Sequence, residues 1–228
     1  MSPRQRLDLL LLLLGLAALA LPWLAWARLR WLEARHGKRL LVRSITGDQA
    51  ARIILLRGEM ESLPVDETLE FLGNSYAGHL PAVRLAPSTY FSRRLFPVLQ
   101  AARVATHALQ HREGDRGATR LARLDALAVL WGNAWPFILL LMMLSPGRMM
   151  SLRVLAVVAI TVALSQILAH LTVRQASRRA CDVLNQAHLL DGHPTEEIAD
   201  AVTADRMGHL AQPARQSIWG ALRPRNRA

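Results

Sequence analysis

The sequence predicts a mainly α-helical membrane protein, with three transmembrane helices and a small α+β soluble domain between the first and the second. Three observations carry this reading. Uncharged apolar runs occupy 9–27, 126–147 and 154–173, each close to the roughly 20 residues a helix needs to cross a hydrocarbon core of about 30 Å. Hydrophobic residues make up 52% of the 228-residue chain and aromatics only 5%, so the excess is Leu, Ala and Val, more than a soluble domain of this size carries. The stretch 44–123 between the first two runs instead mixes helical periodicity with turn residues and short β-prone segments.

A short tail, 1–8, precedes the first run. Arg4 and Arg6 ahead of it, with Ala18 and Ala20 or Ala25 and Ala27 as small residues, also suit a cleaved signal peptide. Its length, and Trp23, Trp26 and Trp31 at its end, favour a retained anchor with an interfacial aromatic belt. The basic connector 28–43 follows, and its Arg28, Arg30, Arg35, Lys38, Arg39 and Arg43 suit anionic headgroups or a solvated helix face. Thr46 and Gln49 make a capping box, which starts a helix over Gly47 to Arg57 that Gly58 stops. Leu69 to Leu72 and Val83 to Ala86 are short candidate strands of a small hairpin, separated by Asn74, Ser75, Gly78 and Pro81.

Pro97 suits the first turn of the next helix, where its missing amide hydrogen costs nothing, and small apolar side chains run on to His111. This helix carries RVATHALQH at 103–111. In an HExxH helix two histidines four apart hold a metal, and the glutamate after the first acts as base. The frame that ends at His107 begins here with Arg103, and Val104 stands at the glutamate position. Arg103 is a fixed cation with no lone pair to offer a metal, and Val104 takes no proton. Glu70, Glu113 and Asp125 are candidate counter-ions for Arg103. His107 and His111 are themselves four apart, so a relocated metal site on that pair stays open, with Glu113 or His170 as third ligand.

REGDRGATRLAR at 112–123 ends the soluble stretch. Gly132, Asn133 and Pro136 predict a kink in the second span, and 145–153 forms a hairpin to the third. Gln166 and His170, one turn apart, are placed to hydrogen-bond between helices. Region 174–210 reads as amphipathic helices, one over Ala176 to Leu190 and one capped by Thr195 and running to Leu210. Asp200, Asp205, Arg206 and His209 make the latter too polar to span, so it is a surface or partner-binding helix. The tail 211–228 is basic, and its end, ALRPRNRA at 221–228, is predicted disordered.

HALQH at 107–111, AVRLAPSTY at 82–90 and LTVRQASRRA at 171–180 resemble the bacterial membrane-bound neutral zinc metallopeptidases, the YugP-like family. The resemblance runs from about Ser44 to about Leu190 and implies a zincin-like soluble domain. It also implies HEVGH or HEAGH before ALQ, a later VEFxAS before ASRRA, a DHYDP motif around Tyr76, and a fourth membrane helix near 195–210. Carried over, His107 matches the second metal histidine. Arg103 replaces the first, Val104 the catalytic glutamate, and Val173 and Gln175 the later acidic or amide positions. NSYAG stands where DHYDP is expected. A degenerate member follows: a pseudo-peptidase with a binding, regulatory or structural role and no resident cofactor, with a zinc-dependent peptidase using His107 and His111 as the alternative.

Charge then sets orientation. The net charge of +11 comes without an aromatic basic platform, which argues against nucleic acid and for the lipid bilayer. Two arginines precede the first span and six cations follow it, while the 145–153 hairpin holds only Arg148 and Arg153. By the positive-inside rule the soluble domain and carboxyl tail face the cytoplasm of a bacterial inner membrane, with access to membrane or cytoplasmic protein partners. Cys181, the single cysteine, is a structural thiol and excludes an internal disulfide.

Overall fold

The computed structural model describes residues 3–69, 73–77, 80–115, 121, 124 and 148–215. It is mainly helical, with one small sheet. In chain order the elements are α1 (Pro3–His36), α2 (Gly47–Arg57), β1 (Val65–Glu67), β2 (Ser75–Ala77), β3 (Leu80–Leu85), α3 (Pro87–Tyr90), α4 (Leu95–Arg112), α5 (Arg148–Gln186), α6 (Thr195–Leu210) and α7 (Gln212–Arg215). The expected second span, Ala126 to Gly147, and the last 13 residues of the tail lie outside the described residues.

α1 and α5 are both long and apolar enough to cross a membrane. They pack side by side in the same direction. Asp8 pairs with Arg153 near their starts, and Gly15 meets Ala156 so closely that an added Cβ would fall 2.6 Å from the Ala156 Cβ. Further along, Ala18 and Pro22 share a small hollow with Ala159 and Ala163. Residue numbers rise together on the two helices, so their amino-terminal ends lie at one end of the molecule. Small residues at the contact allow the backbones this approach, as is common where two helices must pack without help from water.

Both helices continue past their apolar runs. α1 takes in most of the basic connector, and α5 runs without a break through Arg174, Arg178 and Arg179 to Gln186. These extensions meet the remaining elements. There α4 is the central element, packed on α2, α5, α6 and the sheet. Every residue from Ala101 to Gln110 is buried, and Ala101, Ala102, Ala105 and Ala108 keep its surface low enough for neighbours on all sides. Leu32, Leu41, Ile54, Leu55, Val98, Val104, Leu184 and Leu190 fill the core around it. α2 begins with the expected capping box, Thr46 and Gln49 each bonding the other's backbone amide, and ends at Gly58. A Cβ at Gly58 would meet Leu109 of α4 at 2.1 Å.

The sheet differs from the expected hairpin. Its order is β1-β3-β2, with β1 parallel and β2 antiparallel to β3. Leu69 lies outside the strands and 70–72 outside the described residues, while Val65–Glu67 supplies the parallel strand. Its sequence VDE has one buried position followed by two exposed ones, too little alternation to read as a strand. The second strand extends back to Leu80. Two further corrections concern α6. Its N-cap is Pro194, with no side-chain cap from Thr195. It is also no free surface helix, since it packs against α1, α4 and α5 and buries Glu197, Asp205 and His209.

Side chains from the end of α1 and the residues just after it face the carboxylates of α6. Arg35 reaches Glu196 at 2.8 Å, Arg39 reaches Glu197 at 3.2 Å, and the His36 Nε2 lies 3.3 Å from Asp200. Arg35 and Arg39, read in the sequence as facing headgroups or solvent, therefore also face protein carboxylates. The exposed Arg35–Glu196 pair contributes about 0–1 kcal/mol and serves mainly to set register.

Candidate functional site

α4 presents Arg103 and His107 toward α5 and α6, and the two are linked in one buried network. The Arg103 Nε donates to Oδ1 of Asp205 at 2.8 Å. The Ser177 hydroxyl, on α5, donates to the other oxygen of Asp205 at 2.6 Å and also lies 2.9 Å from the Val173 carbonyl. Asp205 therefore has both oxygens engaged. The side chains of Arg103 and Asp205 are only 9% and 2% exposed, a burial at which an unpaired charge would cost several kcal/mol.

Arg103 also sets the chemistry of His107. Its NH1 lies 3.1 Å from Nε2 of His107, and a guanidinium has donors only. The Nε2 lone pair is thus the acceptor and the ring proton sits on Nδ1, which donates to Oε1 of Gln110 at 2.9 Å. Burial first, and then the adjacent Arg103 charge, push the His107 pKa down to about 3. His209, on α6, is likewise pushed down to about 3, by burial and then by Arg103. The cluster holds one cation, one anion and two neutral imidazoles. It is balanced as it stands.

That arrangement does not fit a zinc ion. The Nε2 atom that a metal would take from His107 accepts a hydrogen bond from a permanent cation. A dication 4 Å from a guanidinium would meet a repulsion on the order of 8 kcal/mol at an effective dielectric of 20. Val104 is buried in the apolar core, and Val173 packs against Leu121 and Ala169. Among the described residues no group of three or more His, Cys, Asp or Glu side chains is placed to hold a metal. His111, one turn beyond His107, lies elsewhere: its Nδ1 is 3.0 Å from the Tyr76 hydroxyl.

Of the counter-ions expected for Arg103, Glu70 and Asp125 lie outside the described residues. Glu113 belongs to a different pair, because both its oxygens face Arg179 of α5, whose hydrogen bond holds the Glu113 carboxyl below the usual range. The partner of Arg103 is Asp205, which sequence reading had placed in a polar helix without assigning it. A signal was present: Glu197, Ala201, Ala204, Asp205 and His209 share the buried stripe of α6 at helical spacing. Ser177 and Gln110 were visible only as letters of the ASRRA and HALQH runs. The Nδ1 of His170 is buried without a hydrogen-bond partner among the described residues, and the second span that could face it lies outside them. Gln166 faces α1 beside Pro22 and Trp23, and Cys181 is a half-buried free thiol.

A family model described as "Putative neutral zinc metallopeptidase" matches residues 11–218 of the chain. No curated protein and no solved structure matches it.

Proposed function

The chain belongs to the neutral zinc metallopeptidase family, and from that premise we propose that it is a membrane-spanning member without peptidase activity, kept as a binding or structural protein. One observation carries this reading: the lone pair that His107 would offer a metal is occupied by Arg103, whose charge is matched by Asp205. A zinc peptidase needs a metal to generate hydroxide, ligands that leave a position open, and a base. Arg103 removes the first, and Val104 supplies no base. Loss of a general base alone costs about 10²- to 10⁴-fold in rate.

Three crossings of the bilayer accord with the packing of α1 and α5. Asp8 and Arg28 on α1, and Arg153 and Arg174 on α5, bracket apolar stretches of about 30 Å each at 1.5 Å per residue. Two parallel helices can both cross only if the chain crosses back between Asp115 and Arg148, where Ala126 to Gly147 is the uncharged run. The distribution of basic residues then favours a cytoplasmic soluble part.

The test is metal analysis joined to a proteolysis assay on the purified full chain in detergent. The expected result is no stoichiometric zinc and no chelator-sensitive cleavage of casein. Zinc bound at one equivalent and lost together in His107→Ala and His111→Ala would overturn the reading in favour of a relocated site. Restoring Arg103→His and Val104→Glu together is expected to leave the protein inactive, because Asp205 then lacks its cation and Val173 still offers no ligand.

A further inference from the structure

Beyond the former metal site, a second polar cluster lies where α5 leaves its apolar run. Arg174 and Arg178 are one helical turn apart, so they share a face of α5 with His170, one turn before them. Arg206 of α6, which packs on α5, completes the cluster. Other arginines have acidic partners: Arg179 has Glu113, Arg52 has Asp48, Arg103 has Asp205, and Arg35 has Glu196. Neither Arg174, Arg178 nor Arg206 pairs with a carboxylate among the described residues. Asp205, next to Arg206 in sequence, is taken up by Arg103 and Ser177. The Nε of Arg206 and the Nδ1 of His170 are buried with no hydrogen-bond partner among the described residues.

Three cations held together across two helices repel one another. Burial, and then the charges of Arg178 and Arg174, hold the Arg206 guanidinium below its usual range. An anion with several acceptor oxygens removes both the repulsion and the orphaned Arg206 donor, and guanidinium groups match phosphate geometry. Arg174 directly follows the apolar run 154–173, which is the depth of lipid headgroups.

We propose that Arg174, Arg178, Arg206 and His170 form a binding site for the phosphate of an anionic membrane phospholipid. This rests on the membrane-spanning reading above. The lipid's glycerol and chains would lie along the exposed α5 surface at Leu168 and Leu171, and its phosphate would enter between α5 and α6. The site differs from a diffuse headgroup patch in its two buried, unpartnered polar atoms, the Arg206 Nε donor and the His170 Nδ1.

Native mass spectrometry of the full chain in detergent, titrated with phosphatidylglycerol or phosphatidylcholine, tests this directly. The expected result is preferential retention of phosphatidylglycerol, falling about fivefold for each arginine removed in Arg174→Gln, Arg178→Gln and Arg206→Gln. Arg174→Lys with Arg178→Lys keeps both charges but loses the guanidinium fork, so it should retain more of the preference than Arg174→Gln with Arg178→Gln and less than the unaltered chain. Equal retention of the two lipids, an unchanged preference in the glutamine variants, or thermal stabilisation by inorganic phosphate without lipid preference overturns the proposal. Alkaline carbonate extraction judges the spanning reading separately: a chain released from native membranes refutes it whatever the adducts show.

Discussion

Asp205→Asn is the sharpest test of the buried network. The substitution keeps the shape of the side chain and its ability to accept from Arg103, but it removes the only carboxylate hydrogen-bonded to that guanidinium among the described residues. Arg103 remains a full charge on a side chain 9% exposed, with a neutral His107 as its other partner. Breaking a buried pair by removing one partner costs about 3–5 kcal/mol. For a chain of this length each kcal/mol lowers the melting temperature by roughly 2–4 °C, so a fall on the order of 10 °C is expected.

The companion variant Arg103→Met with Asp205→Leu removes both charges. It leaves Ser177 its contact with the Val173 carbonyl and Gln110 free to bond His107, so its cost should be small, and replacing such a pair by apolar groups is often neutral. The assay is thermal unfolding in detergent followed by tryptophan fluorescence. The reasoning fails if the double variant is less stable than Asp205→Asn, or if Asp205→Asn costs under about 1 kcal/mol.

Two further predictions follow from the same geometry. His107 and His209 protonate near 6.5 in the unfolded chain but not until about 3 when folded, so their contribution is complete above pH 6.5 and is lost as pH falls from there toward 3. Each adds a slope of about 1.4 kcal/mol per pH unit in that window, and His107→Gln should remove roughly half of the combined acid sensitivity measured by unfolding at pH 7 and pH 4.5. For topology, Asp8→Cys with Arg153→Cys in a Cys181→Ser background should be joined by a short bifunctional thiol reagent, as the contact between the two side chains requires. A reporter active only outside the cytoplasm should be silent when fused after Arg123 and active at Gly147, and the reverse pattern would invert the arrangement.

The helices were legible in the sequence because their signals are local. Thr46, Gln49 and Gly58 bound α2 at Gly47 and Arg57, and the polarity of 195–210 against its flanks delimits α6. The sheet was less legible. β1 is three residues long and pairs across a gap of 18 positions, Val65 with Val83, so its state is set by a partner rather than by its own pattern. At the site, His107, Arg103 and Val104 could be read from the frame of one helix. Asp205 could not, since its pairing with Arg103 joins residues 102 apart and depends on how α6 lies across α4.

That pairing links two features which look unrelated along the chain. The resemblance leads one to expect a membrane helix at 195–210, and polar residues there forbid it. Asp205 is one of those residues, and it is also what makes a guanidinium tolerable at 103, where a metal-binding histidine would need no carboxylate of that kind. Glu197 likewise lies 3.2 Å from the exposed Arg39, just past the end of α1. A segment that supplies carboxylates to the buried Arg103 of α4 and to Arg35 near the end of α1 is unsuited to face lipid. The polar character of α6 and the arginine in α4 are therefore coupled: replacing Arg103 alone would strand Asp205, and an apolar α6 would strand Arg103.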